Sequence, residues 1–232
     1  MNASRISRPI AIAAALLAVA TAGQAASITL PTGYTANYGA VYDAATNTSY
    51  VAVAPVSGPV TQADTWNTIN AIATLGGPQG WLVTIYSAEE NAAIVDGFAA
   101  RGLDLWGYRI GAVRGDARDQ FGAVIPDYSG PWYWNGNANE LMGYSNWAPG
   151  QPDNFSPFAN QYVSRFVDNG QWDDTSDDFG DFDAVNNRYY HRGFVVEFAG
   201  DVTVSAVPEP GSLALMLAGV AGLAGVIRRR RG

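Results

Sequence analysis

The feature that most constrains this chain is where helical periodicity stops. Thr61-Gln-Ala-Asp64 precedes Trp66, Ile69, Ile72 and Ala73 at helical spacing, and Gly76-Gly77-Pro78 ends the pattern. Ser87-Ala-Glu-Glu90 has the order of a capping box, in which a hydroxyl and a carboxylate satisfy free N–H groups at a helix start, and predicts a second helix to about Ala100. No further helix is written after it. Tyr50 to Val56 alternates aromatic or branched residues with Ala and reads as a strand, and Trp81 to Tyr86 reads as a shorter one. From Trp106 onward the aromatic segments 106–112, 131–136, 144–147 and 193–198 read as short strands joined by long loops, so the class is α+β. Long structureless loops are uncommon in a compact domain unless they bind something.

Those loops concentrate oxygen. Between Gly150 and Asp178, carboxylates and amides gather in two clusters separated by an apolar segment. The chain has no Cys, which excludes a disulfide framework, a thiolate metal site and a Cys nucleophile. His191 is the single His, so a His-cluster zinc site is excluded as well. Any metal must be held by oxygen, and calcium is the ion that takes about six to eight such ligands. All 13 basic residues are Arg, six of them at the two ends, so the body from Ala26 to Val207 carries seven Arg against twenty acids, a formal charge of roughly −13. Such a body lacks the basic face that phosphate neutralisation needs, which argues against nucleic acid and for cations as counterparts. A length of 232 residues with 48% hydrophobic and 15% charged residues suits one globular domain with extensions.

The extensions read as addresses. Arg5 and Arg8, the apolar run 10–22 and the small residues Gly23-Gln24-Ala25 are the three parts of a secretory signal peptide, 1–26, with cleavage after Ala25 or Ala26. At the other end, Pro208-Glu209-Pro210 precedes an apolar segment to Ile227 and then Arg228 to Arg231. A short apolar helix before four Arg would stop in the membrane with its basic end in the cytoplasm. Residues 207–232 resemble the PEP-CTERM sorting signal of Gram-negative bacteria that make exopolysaccharide. The resemblance implies export across the inner membrane, removal of the tail by an exosortase-type protease, and a secreted or cell-surface protein. A permanent short C-terminal anchor is the alternative.

The body, 27–206 with a core at about 45–199, carries a series of signposts in order. They are Trp66 in the first helix, Ser87 to Asn91 opening the second, Trp106 to Ala112, and Trp132-Tyr-Trp134-Asn-Gly136. Asn146-Trp147-Ala-Pro-Gly-Gln-Pro-Asp-Asn154, Trp172-Asp-Asp174 and Phe194 to Phe198 follow. In this order they resemble a C-type lectin-like domain. That resemblance implies two short helices, small antiparallel sheets and a long loop region that binds calcium and sugar.

Carried over position by position, the resemblance implies calcium ligands at Gln151, Asp153, Asn160, Asp173 and Asp174. Gln151, Asp153, Asn160 and Asp173 would also meet sugar hydroxyls, and Pro152 would be cis. Gln-Pro-Asp leans to galactose-type sugars. Phe155 and Phe158 are candidates to stack on a sugar ring, whereas Trp172 belongs to the core that the family buries. Asn160 stands where the family commonly has Glu, and Asp173 replaces its Asn, so the charge count is roughly kept. The segment 175–190 is a longer insert, containing Asp177, Asp178, Asp181 and Asp183, and it fails the EF-hand pattern for want of Gly at the sixth loop position. His191 reads as a surface or core residue rather than a general base, and no nucleophile elbow or phosphate loop is written. The implied function is an exported, non-enzymatic, calcium-dependent carbohydrate-binding protein of the extracellular polysaccharide or cell surface. The alternative is a calcium-independent structural or adhesion protein that uses the same fold for protein contacts.

Overall fold

The first helix, Gln62–Thr74, begins where Thr61 caps it. The Thr61 hydroxyl accepts from the Asp64 N–H at 3.1 Å and the Asp64 carboxylate accepts from the Thr61 N–H at 3.0 Å, the complete reciprocal box. The second helix, Ala88–Ala99, starts with the Ser87 hydroxyl accepting from the Glu90 N–H at 3.1 Å. The other half of that expected box is not made. Glu90 instead accepts from the Tyr86 N–H at 2.8 Å and the Tyr50 hydroxyl at 2.7 Å. Tyr50 is fully buried, its hydroxyl needs an acceptor, and Glu90 supplies one from the helix start.

The computed structural model describes residues 25–114, 117–118, 124–125, 130–134, 140–154, 163–175, 182–183, 188–189 and 191–205. Its centre is the antiparallel pair Thr48–Pro55 and Gly193–Ala199, in register from Val53 opposite Phe194 to Thr48 opposite Ala199. Both strands are buried on both faces, and alternation sorts their side chains. Tyr50, Ala52 and Val195 join Ile94 and Phe98 of the second helix, with Trp132, Trp134 and Trp172, in one core cluster. Val51, Val53, Phe194, Val196 and Phe198 join Ile69 and Ile72 of the first helix in the other. Each helix thus covers one face of the sheet.

The sheet extends from Gly193–Ala199 to Tyr108–Arg114, which runs parallel to it. Tyr108–Arg114 pairs antiparallel with Trp132–Trp134 and with Val163–Phe166, and the latter pairs antiparallel with Trp172–Thr175. Ala26–Thr29 lies parallel to Val202–Ser205, and Ile28, Leu30 and Val202 complete the second cluster. Of the strand expected over 81–86 only Trp81–Leu82 is regular strand; the Val83 N–H still donates to the Val195 carbonyl at 2.9 Å, and the Thr84 N–H then turns to the Glu197 carboxylate at 3.0 Å. Among the described residues the only helical turn after Ala99 is the 3₁₀ segment Asp168–Gly170. His191 is fully buried, which makes it a core residue.

Candidate loop and strand rim at Gln151–Asn154 and Asp173–Asp174

Trp172 is the fixed point of the site. It is fully buried, and its ring lies within 5.6–5.8 Å of the rings of Trp134, Tyr144 and Trp147, in edge-to-face arrangements. Its indole N–H donates to the Asn91 side-chain oxygen at 3.0 Å, which ties it to the second helix. The incoming loop docks along its backbone. The Trp172 N–H donates to the Asn146 carbonyl at 2.9 Å, and the Ala148 N–H donates to the Trp172 carbonyl at 2.8 Å. The 3₁₀ turn before Trp172 ends at Gly170, φ +69°, whose carbonyl accepts from the side chains of Asn91 and Asn146. A Cβ at Gly170 would come within 2.6 Å of Val95, so the turn needs glycine for space and for conformation.

The loop turns at the next residues. The Gln151 N–H donates to the Ala148 carbonyl at 2.9 Å, Gly150 takes φ +90°, and the Gln151–Pro152 peptide is cis. Asp174, only 1% exposed, then clamps the far side of the loop. Its Oδ1 accepts from the Asp153 N–H at 3.0 Å and its Oδ2 from the Asn154 N–H at 2.9 Å. The Gln151 Oε1 also accepts from the Asp153 N–H, at 3.0 Å. Burial pushes the Asp174 carboxyl above its usual range. The two backbone donors pull against that, and the neighbouring charges of Asp173 and Asp153 add to it.

Of the expected ligands, Gln151, Asp153 and Asp174 are joined by these bonds, and Asp173 stands next to Asp174 in the strand Trp172–Thr175. Asn160, Phe155 and Phe158 lie outside the described residues, as do Asp177, Asp178, Asp181, Pro208, Glu209 and Pro210. So do the signal-peptide residues 1–24 and the apolar tail. In the insert, Phe182–Asp183 pairs antiparallel with Arg188–Tyr189.

One residue at the rim went unread in the sequence. Arg165 stands opposite Asp173 in the strand register, and its Nη2 donates to Asp173 Oδ2 at 2.7 Å, with side-chain exposures of 8% and 17%. Its guanidinium lies 5.3 Å from the centre of the Trp106 ring. The available signal was an Arg in the apolar segment just before Trp-Asp-Asp, which a hairpin between the two would set opposite an Asp. The donors are chemically right for calcium, all oxygen, yet as they stand they do not form a cage for it. Asp173 already serves a guanidinium, and among the described residues no three His, Cys, Asp or Glu side chains converge as metal ligands.

A cavity of about 640 Å³ opens elsewhere, at the start of the second helix, lined among others by Trp81, Tyr86, Glu89, Glu90 and Glu197. Burial pushes the Glu197 carboxyl up to about 7, against its hydrogen bonds from Thr84. Both oxygens of Glu90 and both of Glu197 accept internal hydrogen bonds, so these acids act as clamps between helix, sheet and loop.

Comparison with known proteins bears first on the tail. Residues 206–231 match the PEP-CTERM protein-sorting motif. The PEP-CTERM motif indicates a secreted, cell-surface-targeted protein. No curated protein matches the chain. Among solved structures, the chain is similar to the mouse scavenger receptor C-type lectin carbohydrate-recognition domain, with a TM-score of 0.45 at 18% identity, over 67% of this chain and 93% of that one. Human lithostathine gives 0.45 at 18%, over 73% and 99%. The C-type lectin CEL-I from Cucumaria echinata gives 0.43 at 19%, over 72% and 95%. Among the described residues no helix is long and apolar enough to cross a membrane.

Proposed function

We propose that the mature chain, 27–206, is an exported, non-enzymatic carbohydrate-binding protein. Its ligand rim would be Gln151, Asp153, Asp173 and Asp174, with Asn160, Phe155 and Phe158 beside it. The observation that carries this reading is the clamp of Asp174 on the Asp153 and Asn154 N–H groups. It fixes the loop that bears Gln151 and Asp153 against the strand that bears Asp173 and Asp174, over a buried aromatic cluster. Amides and carboxylates held in fixed positions suit sugar hydroxyls, which both donate and accept. The C-type lectin titles of the similar structures point the same way, and Gln-Pro-Asp leans to galactose-type sugars. The sorting motif would deliver the domain to the producer's own surface or polysaccharide, with an exosortase-type protease removing the tail at the inner membrane.

Calcium dependence is the finer part of the reading. An ion held by Gln151, Asp153, Asn160, Asp173 and Asp174 requires Asp173 to exchange Arg165 for it. The test is a glycan array probed with the full chain in detergent, once with calcium and once with chelator. Retention in both conditions supports carbohydrate binding without the ion, and retention with calcium alone supports the ion-dependent form. No retention in either, together with self-association in chelator, favours the structural and adhesion alternative. Release of reducing sugar from a polysaccharide panel would contradict the non-enzymatic reading.

A further inference from the structure

The rim collects negative charge in a half-buried place. Asp173 and Asp174 are adjacent, the buried Asp174 clamps the Asp153 N–H, and the charges of Asp173 and of the exposed Asp153 both act on the Asp174 carboxylate. Charges of one sign gathered away from bulk water repel strongly unless an opposite charge is placed among them. Arg165 is in that place. Its fork meets Asp173 at 2.7 Å, a charge-assisted hydrogen bond, and its strand position is fixed by pairing to Asp173 on one side and to Arg109 on the other. The Trp106 ring beneath the guanidinium holds the cation against that pair. An arginine stays charged across the accessible pH range, so this counter-charge does not titrate away.

We propose that Arg165 is the built-in cation of this rim, assembling the acidic loop without a divalent ion and competing with calcium for Asp173. The inference concerns the same rim as the carbohydrate reading but does not depend on sugar. Its role is one of positioning: the guanidinium acts on a ligand through Asp173. Added calcium must displace the guanidinium from Asp173 to use that carboxylate.

The test is calcium titration of the full chain in detergent, followed by calorimetry and by thermal melts with calcium and with chelator. Wild type, Arg165→Gln and Arg165→Lys are compared. Wild type is expected to show no saturable site below about 1 mM calcium, the weak end of calcium affinities, and the same midpoint in both conditions. Arg165→Gln is expected to melt earlier in chelator, to recover with calcium, and to bind calcium at least roughly tenfold more tightly than wild type, since it removes the competing charge. Arg165→Lys, which keeps the charge, is expected to follow wild type in calcium response. A merely structural arginine would lower the midpoint equally with and without calcium and leave calcium affinity where it was, and that result would overturn the proposal. Saturation of wild type at micromolar calcium would overturn it too, and this arm stands even if Arg165→Gln does not fold. No sugar enters either measurement, so failure on the glycan array is a separate outcome.

Discussion

Each oxygen of the Asp174 carboxylate has one backbone N–H to accept, and that symmetry makes the residue hard to replace. Asp174→Asn keeps the shape but turns one acceptor into a donor facing an N–H group. The expected cost is about 1–3 kcal/mol, the usual penalty for an unsatisfied buried polar group. Amide exchange at Asp153 and Asn154 should quicken more than in the strands, and unchanged exchange there would contradict the clamp. Trp172 is the other residue on which the rim stands. Trp172→Ala should cost about 3–5 kcal/mol in a chemical unfolding curve, as for other buried aromatic truncations. It removes three ring contacts and the bond to Asn91 together. A loss of under about 1 kcal/mol would mean that the aromatic cluster does not carry the loop.

At the scale of elements, the closing strand Gly193–Ala199 is tied to the loop after Trp81–Leu82 by Glu197 and Thr84. The folded-state pKa of Glu197, about 7, lies above its ordinary value, so between the two the folded protein binds more protons than the unfolded one. Stability contributed through this group is therefore present at low pH and lost as pH rises from the usual carboxylate range to about 7. Melts across that window should show a falling midpoint, and Glu197→Gln should flatten the fall. An equal slope in the variant would assign it to other groups. The elements themselves were largely legible in the sequence. Helical spacing and caps announced both helices, alternation over Tyr50 to Val56 announced Thr48–Pro55, and the aromatic segment 193–198 announced Gly193–Ala199. The pairing of Ala26–Thr29 with Val202–Ser205 was not, because two short strands at opposite ends of a chain leave no local signal. Nor was the fate of Glu90, since its partner Tyr50 lies forty residues away. In the rim, Gln151, Asp153 and the two Asp of the strand were readable from their order. Arg165 was not, because its meaning comes from register across a strand pair.

For the whole molecule, two core clusters on opposite faces of one sheet give a cysteine-free domain its packing, and the rim sits where the aromatic cluster meets the surface. The sorting motif at 206–231 lies beyond the last described strand, so processing there should leave the domain's hydrogen bonds untouched. Mass spectrometry of the protein recovered from the producing cell's exterior should find a C-terminus inside that motif, and an intact Arg228–Arg231 end would contradict removal of the tail. The central claim is that the loop at Gln151–Asn154 carries ligand. The most direct test is retention on immobilised galactose-type and mannose-type glycans, comparing the wild-type chain with Gln151→Ala/Asp153→Ala. The account predicts that wild type is retained and that the double variant passes through with a nearly unchanged melting midpoint. Equal retention of the two proteins would place the ligand elsewhere and contradict the account.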